Sequence, residues 1–78
     1  MTSQPLTALK IGAAATVSEI KLRPDQRGRL LEMGLLVGTN VQLVRFAPLG
    51  DPVEIKVRGY HLTLRRQEAE QIWVQPAD

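Results

Sequence analysis

The clearest pattern of apolar and polar positions lies between residues 53 and 65. Apolar side chains occupy every second position on both sides of a glycine at residue 59, namely Val53, Ile55, Val57, Tyr60, Leu62 and Leu64. A two-residue turn at Arg58-Gly59 places each apolar position opposite another apolar position, which is the register test that a hairpin must pass. A slip by one residue would bury Lys56 and Glu54 instead. The pattern therefore predicts a β-hairpin with its apolar face turned inward.

A second pattern has helical spacing and ends at a glycine. Pro24 suits the first turn of a helix because its missing N–H would be unpaired there anyway. Leu30 and Met33 are three residues apart and share a helix face. Gly34 fits the left-handed position after the last turn, and Leu35 then meets Leu30 across it in a Schellman motif. We predict a helix from Pro24 to about Met33.

Shorter stretches predict the rest of a small sheet. We expect strands at residues 13–20, 41–46 and 73–74, a turn at 6–9 and a short helix at 66–72, with residues 1–4 mobile and 75–78 forming a tail. Gly28 predicts a close contact between helix and sheet, and the three aromatic residues Phe46, Tyr60 and Trp73 are expected to face inward. Five short strands with short helices indicate a mainly β fold, a closed or nearly closed SH3-like barrel.

Composition excludes several classes of site. The 78 residues allow one domain, and we assign residues 1–78 to it, with a core at about 9–74. No cysteine is present, which rules out disulfides, thiolate zinc sites and iron–sulfur ligation. The N-terminus lacks a signal-peptide pattern, and no apolar run approaches the roughly 20 residues that span a bilayer. A cytoplasmic protein without direct membrane insertion is predicted.

Candidate catalytic and metal-ligating residues are few. His61 is the only histidine, and the hairpin register puts Lys56 opposite it and Glu54 only diagonal to it. We interpret His61 as a solvated surface residue, with a metal site completed by another molecule as the alternative. Glu68 and Glu70 are interpreted as solvated charges on a helix. No recognisable nucleophile or phosphate-binding motif occurs, so neither an enzyme nor an intrinsic cofactor is predicted.

The basic residues have a further interpretation. Five of them are expected on the outer face of the sheet, namely Arg45, Lys56, Arg58, Arg65 and Arg66. Small barrels bind nucleic acid through such faces when aromatic side chains stand between the charges. Because all three aromatics are assigned to the interior, nucleic-acid binding is not predicted.

Several stretches together resemble the FeoA family, small cytoplasmic components of bacterial ferrous iron uptake. They are Arg29-Leu30-Leu31-Glu32-Met33-Gly34-Leu35, Gly38-Thr39, Ala47-Pro48-Leu49-Gly50-Asp51-Pro52-Val53, Arg58-Gly59-Tyr60 and Leu64-Arg65-Arg66. The likeness covers about residues 9–74. Val37 stands where the family often has proline, which loosens that turn slightly. A related domain ends the iron-dependent repressors of the DtxR type, but no helix-turn-helix precedes the barrel here, so a complete repressor is not expected.

The resemblance implies an SH3-like protein that binds the membrane transporter FeoB on its cytosolic side and modulates Fe(II) transport. For that contact we select Leu49, Gly50 and Asp51 in an exposed loop, since loops on a rigid scaffold carry function. The alternative for Leu49 is that its side chain is tucked back onto the barrel. We add Met33 and Leu35 if their side chains are exposed beside the barrel opening. The alternative is that both are ordinary core residues. The alternative function is a metal-responsive sensor with a weak Fe(II) or Zn(II) site shared between protomers, which would make the chain a homo-oligomer.

Overall fold

The computed structural model describes residues 3–77. Its elements in chain order are β1 (Gln4–Pro5), a 3₁₀ turn (Leu6–Ala8), β2 (Ala14–Ile20), α1 (Pro24–Glu32), β3 (Asn40–Phe46), β4 (Val53–Val57), β5 (Tyr60–Leu64), α2 (Arg66–Ala69) and β6 (Ile72–Pro76). The described strands form one antiparallel sheet in the order β1-β6-β2-β3-β4-β5. The mainly β prediction is confirmed, with six strands in place of five. Strand pairing does not close the sheet, because β1 and β5 remain its two edges.

Alternation along the strands builds the core. Val17, Leu43, Ile55 and Val74 come from four different strands, and each is at most 1% exposed. Burying such branched side chains on one face of a sheet supplies most of the folding free energy of a domain this small. The predicted turn at residues 6–9 adds Leu6 to the same cluster.

The hairpin of β4 and β5 has the predicted register. Val53 pairs with Leu64, Ile55 with Leu62 and Val57 with Tyr60. Arg58 and Gly59 both have positive φ, 49° and 93°, which is the type I′ geometry that matches the twist of two-residue hairpins.

The end of α1 also follows the prediction. The Leu35 N–H donates to the Leu30 carbonyl at 2.9 Å, and the Gly34 N–H donates to the Leu31 carbonyl at 3.0 Å. These are the two bonds of a Schellman motif, with Gly34 at φ 88° in the left-handed position. Leu30 and Leu35 are both completely buried, so the residues that end the helix also attach it to the core.

Gly28, by contrast, does not make the predicted close contact. A Cβ built at this position would have no atom within 4 Å beyond its chain neighbours and the nearby backbone of its own helix. The prediction of tight helix–sheet packing at Gly28 is wrong, because the face of α1 that packs on the core is set by Leu30.

The first and last strands of the described residues extend further than the sequence indicates. Gln4 pairs with Val74, and β6 continues to Pro76, which pairs with Ala15. The predictions of a mobile residue 4 and of a tail beginning at residue 75 are therefore wrong. The predictions for residues 1, 2 and 78 lie outside the described part of the chain.

The aromatic side chains do not fill the core as predicted. Tyr60 is 43% exposed, and Phe46 and Trp73 are half-buried. Trp73 lies under the Lys21 ammonium, 4.0 Å from the ring centre, and the Arg66 guanidinium lies 5.4 Å from the centre of the Phe46 ring. Each ring thus has a charged neighbour, and Phe46 also packs against the core cluster from its rim. No helix among residues 3–77 is long and apolar enough to span a membrane.

Candidate docking surface

The loop between β3 and β4 presents one large aliphatic side chain to solvent, between two exposed prolines. Leu49 at its tip is 96% exposed, the highest value among the large apolar residues of the described chain. A fully exposed leucine on a turn makes no contact that stabilises the fold. Leu49 therefore adds nothing to the core, and its side chain is accessible to another molecule.

Hydrogen bonds hold this loop in place. The Gly50 N–H donates to the Ala47 carbonyl at 2.7 Å, and the Ala47 N–H donates to the Pro52 carbonyl at 3.0 Å. Asp51 accepts the backbone N–H of Arg66 at 3.0 Å, and the Arg66 guanidinium donates to the Gly50 carbonyl at 3.2 Å. Gly50 and Asp51 thus fasten the loop to the start of α2, and Leu49 stands on a fixed base.

Met33 and Leu35 differ from each other in exposure. Leu35 is completely buried, so the condition for including it in a docking surface is not met, and its role is in the core. Met33 is half-buried, and its carbonyl accepts the Tyr60 hydroxyl. Close to it in the sequence are three exposed apolar residues of α1 and the following turn that the sequence analysis did not select: Leu31, Leu36 and Val37.

His61 belongs to a row of polar side chains across β3, β4 and β5. Its Nδ1 lies 2.8 Å from Glu54 Oε2, and Arg45 Nε donates to Glu54 Oε1 at 2.9 Å. The Arg45 hydrogen bond is the main reason why the pKa of Glu54 is below its ordinary value; desolvation opposes it, and His61 adds to the lowering. Lys56 is directly opposite His61, as predicted.

These neighbours matter for metal binding. The cations beside Glu54 and His61 oppose the approach of a metal ion to the pair. Within residues 3–77, no three His, Asp or Glu side chains are grouped as a metal site would require. The metal site shared between protomers stays a prediction.

Glu68 is not the solvated charge that the sequence indicates. Its side chain is only 12% exposed, and it receives the Arg29 guanidinium of α1 and the Arg65 backbone N–H, the latter at 3.1 Å. Desolvation raises the pKa of this carboxyl, but the hydrogen bonds from Arg29 and Arg65 outweigh it and the pKa is lowered overall. Glu70 is exposed, as expected, and pairs with Arg66 at 3.4 Å.

Comparison with known proteins decides the family. The FeoA domain model matches residues 4–76, nearly the whole chain. The chain belongs to the FeoA family. One similar curated protein is the Fe(2+) transport protein A/Fe(2+) transporter FeoB fusion protein of Porphyromonas gingivalis, 37% identical over 70 residues. That match covers 90% of this chain but only 8% of the relative.

Solved structures give the same family and fold. The FeoA protein of Chlorobium tepidum is 43% identical, with a TM-score of 0.90 over 96% of this chain and 71% of that one. A manganese-dependent transcriptional repressor in complex with manganese also has a TM-score of 0.90, over 99% of this chain and 38% of that one. At 18% identity, that repressor shares the fold of the FeoA domain and nothing more is inferred from it.

Proposed function

We propose that this chain is an accessory protein of bacterial ferrous iron uptake that binds the cytosolic part of a FeoB transporter and modulates its transport of Fe(II). Membership of the FeoA family supports the link to iron uptake. The fusion protein of Porphyromonas gingivalis supports the partner, because a segment similar to this chain and a FeoB transporter share one polypeptide there. Domains fused in one species often bind as separate chains in another, since the fusion only raises their effective concentration.

The exposed Leu49 is the observation that carries the proposal. An apolar side chain held on a fastened loop loses little conformational entropy when it enters a pocket on a partner. Gly50 and Asp51 act through the loop conformation, while Leu49 supplies the buried contact. The apolar residues around Met33 give a second, less exposed contact region.

A capture experiment with the cytosolic domains of FeoB tests this role. The purified full chain is immobilised as wild type, as Leu49→Asp and as Ile11→Asp. Ile11 is the matched control, because it is also an exposed apolar residue on a turn, 66% exposed, but outside the β3–β4 loop. We expect Leu49→Asp to reduce capture by about tenfold or more, the effect of losing an apolar anchor of about 1.4 kcal/mol, and Ile11→Asp to leave it unchanged.

Two results would contradict the proposal. Capture of FeoB by Leu49→Asp at the wild-type level would remove the loop from the interface. Normal Fe(II) uptake in cells lacking this chain would remove the role in transport altogether.

A further inference from the structure

The outer side of β3, β4 and β5 concentrates positive charge. We call its charged residues and the adjacent histidine the basic face: Arg45, Glu54, Lys56, Arg58, His61 and Arg65. With His61 neutral, its four cations and one carboxylate give a net charge of +3, although the whole chain carries only +2. Positive charge is therefore gathered on one side of the molecule.

Two cations of this face have no partner. Among residues 3–77, the side chains of Lys56 and Arg58 make no ion pair or hydrogen bond, whereas Arg45 pairs with Glu54 and the charge of Arg65 helps to lower the pKa of Glu68. Most other cations of the described chain are engaged by Asp25, the Leu22 carbonyl, Glu68, Glu70 or the Trp73 ring. Exposed cations without a partner keep their full attraction for an incoming anion.

Two cations of the basic face line a cleft. Lys56, Arg58 and Gln42 line it together with the start of β2, and its volume is about 310 Å³. Arg58 is positioned there by the type I′ turn, where its φ of 49° places it beside the end of β4. The cleft is large enough for an acidic side chain to reach both Lys56 and Arg58.

We propose that the basic face binds an acidic surface of a protein partner, with a partner carboxylate entering the cleft between Lys56 and Arg58. The inference rests on the proposed function and adds the chemistry of the FeoB surface that meets this side of the chain. Such charge complementarity steers association and fixes the orientation in which Leu49 reaches its pocket.

Two other anionic partners fit the face less well. Nucleic acid is bound on small sheets through exposed aromatic side chains, and the basic face has none; Tyr60 is exposed but directs its hydroxyl to the Met33 carbonyl. Adsorption to a lipid surface combines cations with apolar side chains. The large exposed apolar residues of the described chain lie in turns, in α1 and at Tyr60, and none of them is part of the basic face. Glu54 at the centre of the face also opposes a continuous layer of phosphates, whereas separate carboxylates on a protein can avoid it.

Charge reversal tests the proposal. The full chain is prepared as Lys56→Glu/Arg58→Glu and as Arg23→Glu/Arg27→Glu, two variants with the same change in net charge on different sides of the molecule. Affinity for the cytosolic domains of FeoB is measured at low and high salt, and thermal melting confirms that both variants fold. We expect Lys56→Glu/Arg58→Glu to bind about tenfold more weakly at low salt, a difference that shrinks at high salt as charges are screened. The control is expected to stay within about twofold of wild type.

The possible results distinguish failure of this inference from failure of the proposed function. Loss of binding in Leu49→Asp together with equal binding by both charge variants would overturn the basic face and leave the proposed function standing. Absence of binding by the wild type would overturn both. Binding of the wild type, but not of Lys56→Glu/Arg58→Glu, to phosphatidylglycerol vesicles, with FeoB affinity unchanged, would assign the face to lipid and overturn a protein partner.

Discussion

Gly34, just after α1, and Gly28, inside it, differ in whether their position needs a glycine. Gly34 has φ 88°, and a Cβ there would lie 2.6 Å from the Tyr60 hydroxyl oxygen. The positive φ favours glycine, and a Cβ would in addition force the end of the Tyr60 side chain to move. Gly28 lies inside α1 with no positive φ and with nothing within 4 Å of a built Cβ. It carries the conformational cost of glycine in a helix without any contact that would justify it.

Gly28→Ala is therefore expected to stabilise the protein. Alanine is preferred over glycine inside a helix by about 0.5–1 kcal/mol, largely because the unfolded chain loses freedom. The midpoint and slope of urea unfolding measure the gain. Gly34→Ala is the matched control and is expected to destabilise by more than that gain, since it meets Tyr60 and strains the left-handed position. A loss of stability in Gly28→Ala would show that the position has a packing role.

At the scale of single residues, the sequence best predicts features that depend on a few residues close together in the chain. The Schellman motif needs only an apolar pair and a glycine within six residues, and the hairpin register needs only the alternation around Gly59. Tyr60 follows that same alternation and yet is exposed, because β5 is an edge strand and the Met33 carbonyl offers its hydroxyl an acceptor. Such an acceptor is 27 residues away in the chain, and no sequence pattern points to it.

The attachment of α1 is a question at the scale of elements. Within this nine-residue helix only Leu30 is buried, so polar contacts supply much of its attachment. Arg29 reaches Glu68 in α2, Arg27 donates to the Leu22 carbonyl at 2.8 Å, and the Met33 carbonyl at the helix end accepts the Tyr60 hydroxyl of β5. Glu68 therefore joins α1 to α2.

Glu68→Gln is expected to lower the free energy of unfolding by about 1.5–3 kcal/mol, the range for a hydrogen bond to a charged group. The amide still accepts the Arg65 N–H but no longer carries the charge that Arg29 meets in a mostly buried place. Glu70→Gln is the control, because its pair with Arg66 is exposed on both sides and contributes at most about 0.5 kcal/mol. Equal effects of the two substitutions in urea unfolding would contradict the role given to Glu68.

Sheet order was only partly accessible to prediction. The alternation around Gly59 predicts β4 and β5, shorter stretches predict β2 and β3, and the FeoA resemblance implies their SH3-like arrangement. The pairing of β1 with β6 has no such signal, since a two-residue strand containing Pro5 shows no alternation. For the same reason the sequence shows which loop presents Leu49 but not that Arg66 fastens it, a contact that depends on how α2 is placed by the hairpin.

For the molecule as a whole, the two perturbed carboxyls predict an acid-sensitive fold. The pKa values of Glu54 and Glu68 are both lowered from the ordinary 4.5 by their hydrogen bonds. At pH values near and below 4.5, the unfolded chain therefore binds more protons than the folded one. The stability that these two carboxylates contribute is present above pH 4.5 and is lost as the pH falls through their pKa values in the folded protein. Between pH 5 and 8 these groups leave stability unchanged.

The melting temperature measured from pH 7 down to pH 3 checks this dependence. The wild type is expected to lose stability steeply below pH 4.5, and Glu54→Gln/Glu68→Gln to start lower and decline less, because the glutamines do not titrate. Glu70→Gln controls for the removal of a carboxyl that does not join α1 to the sheet, and is expected to keep the wild-type slope. A double variant as steep as the wild type would show that other carboxyls control acid unfolding.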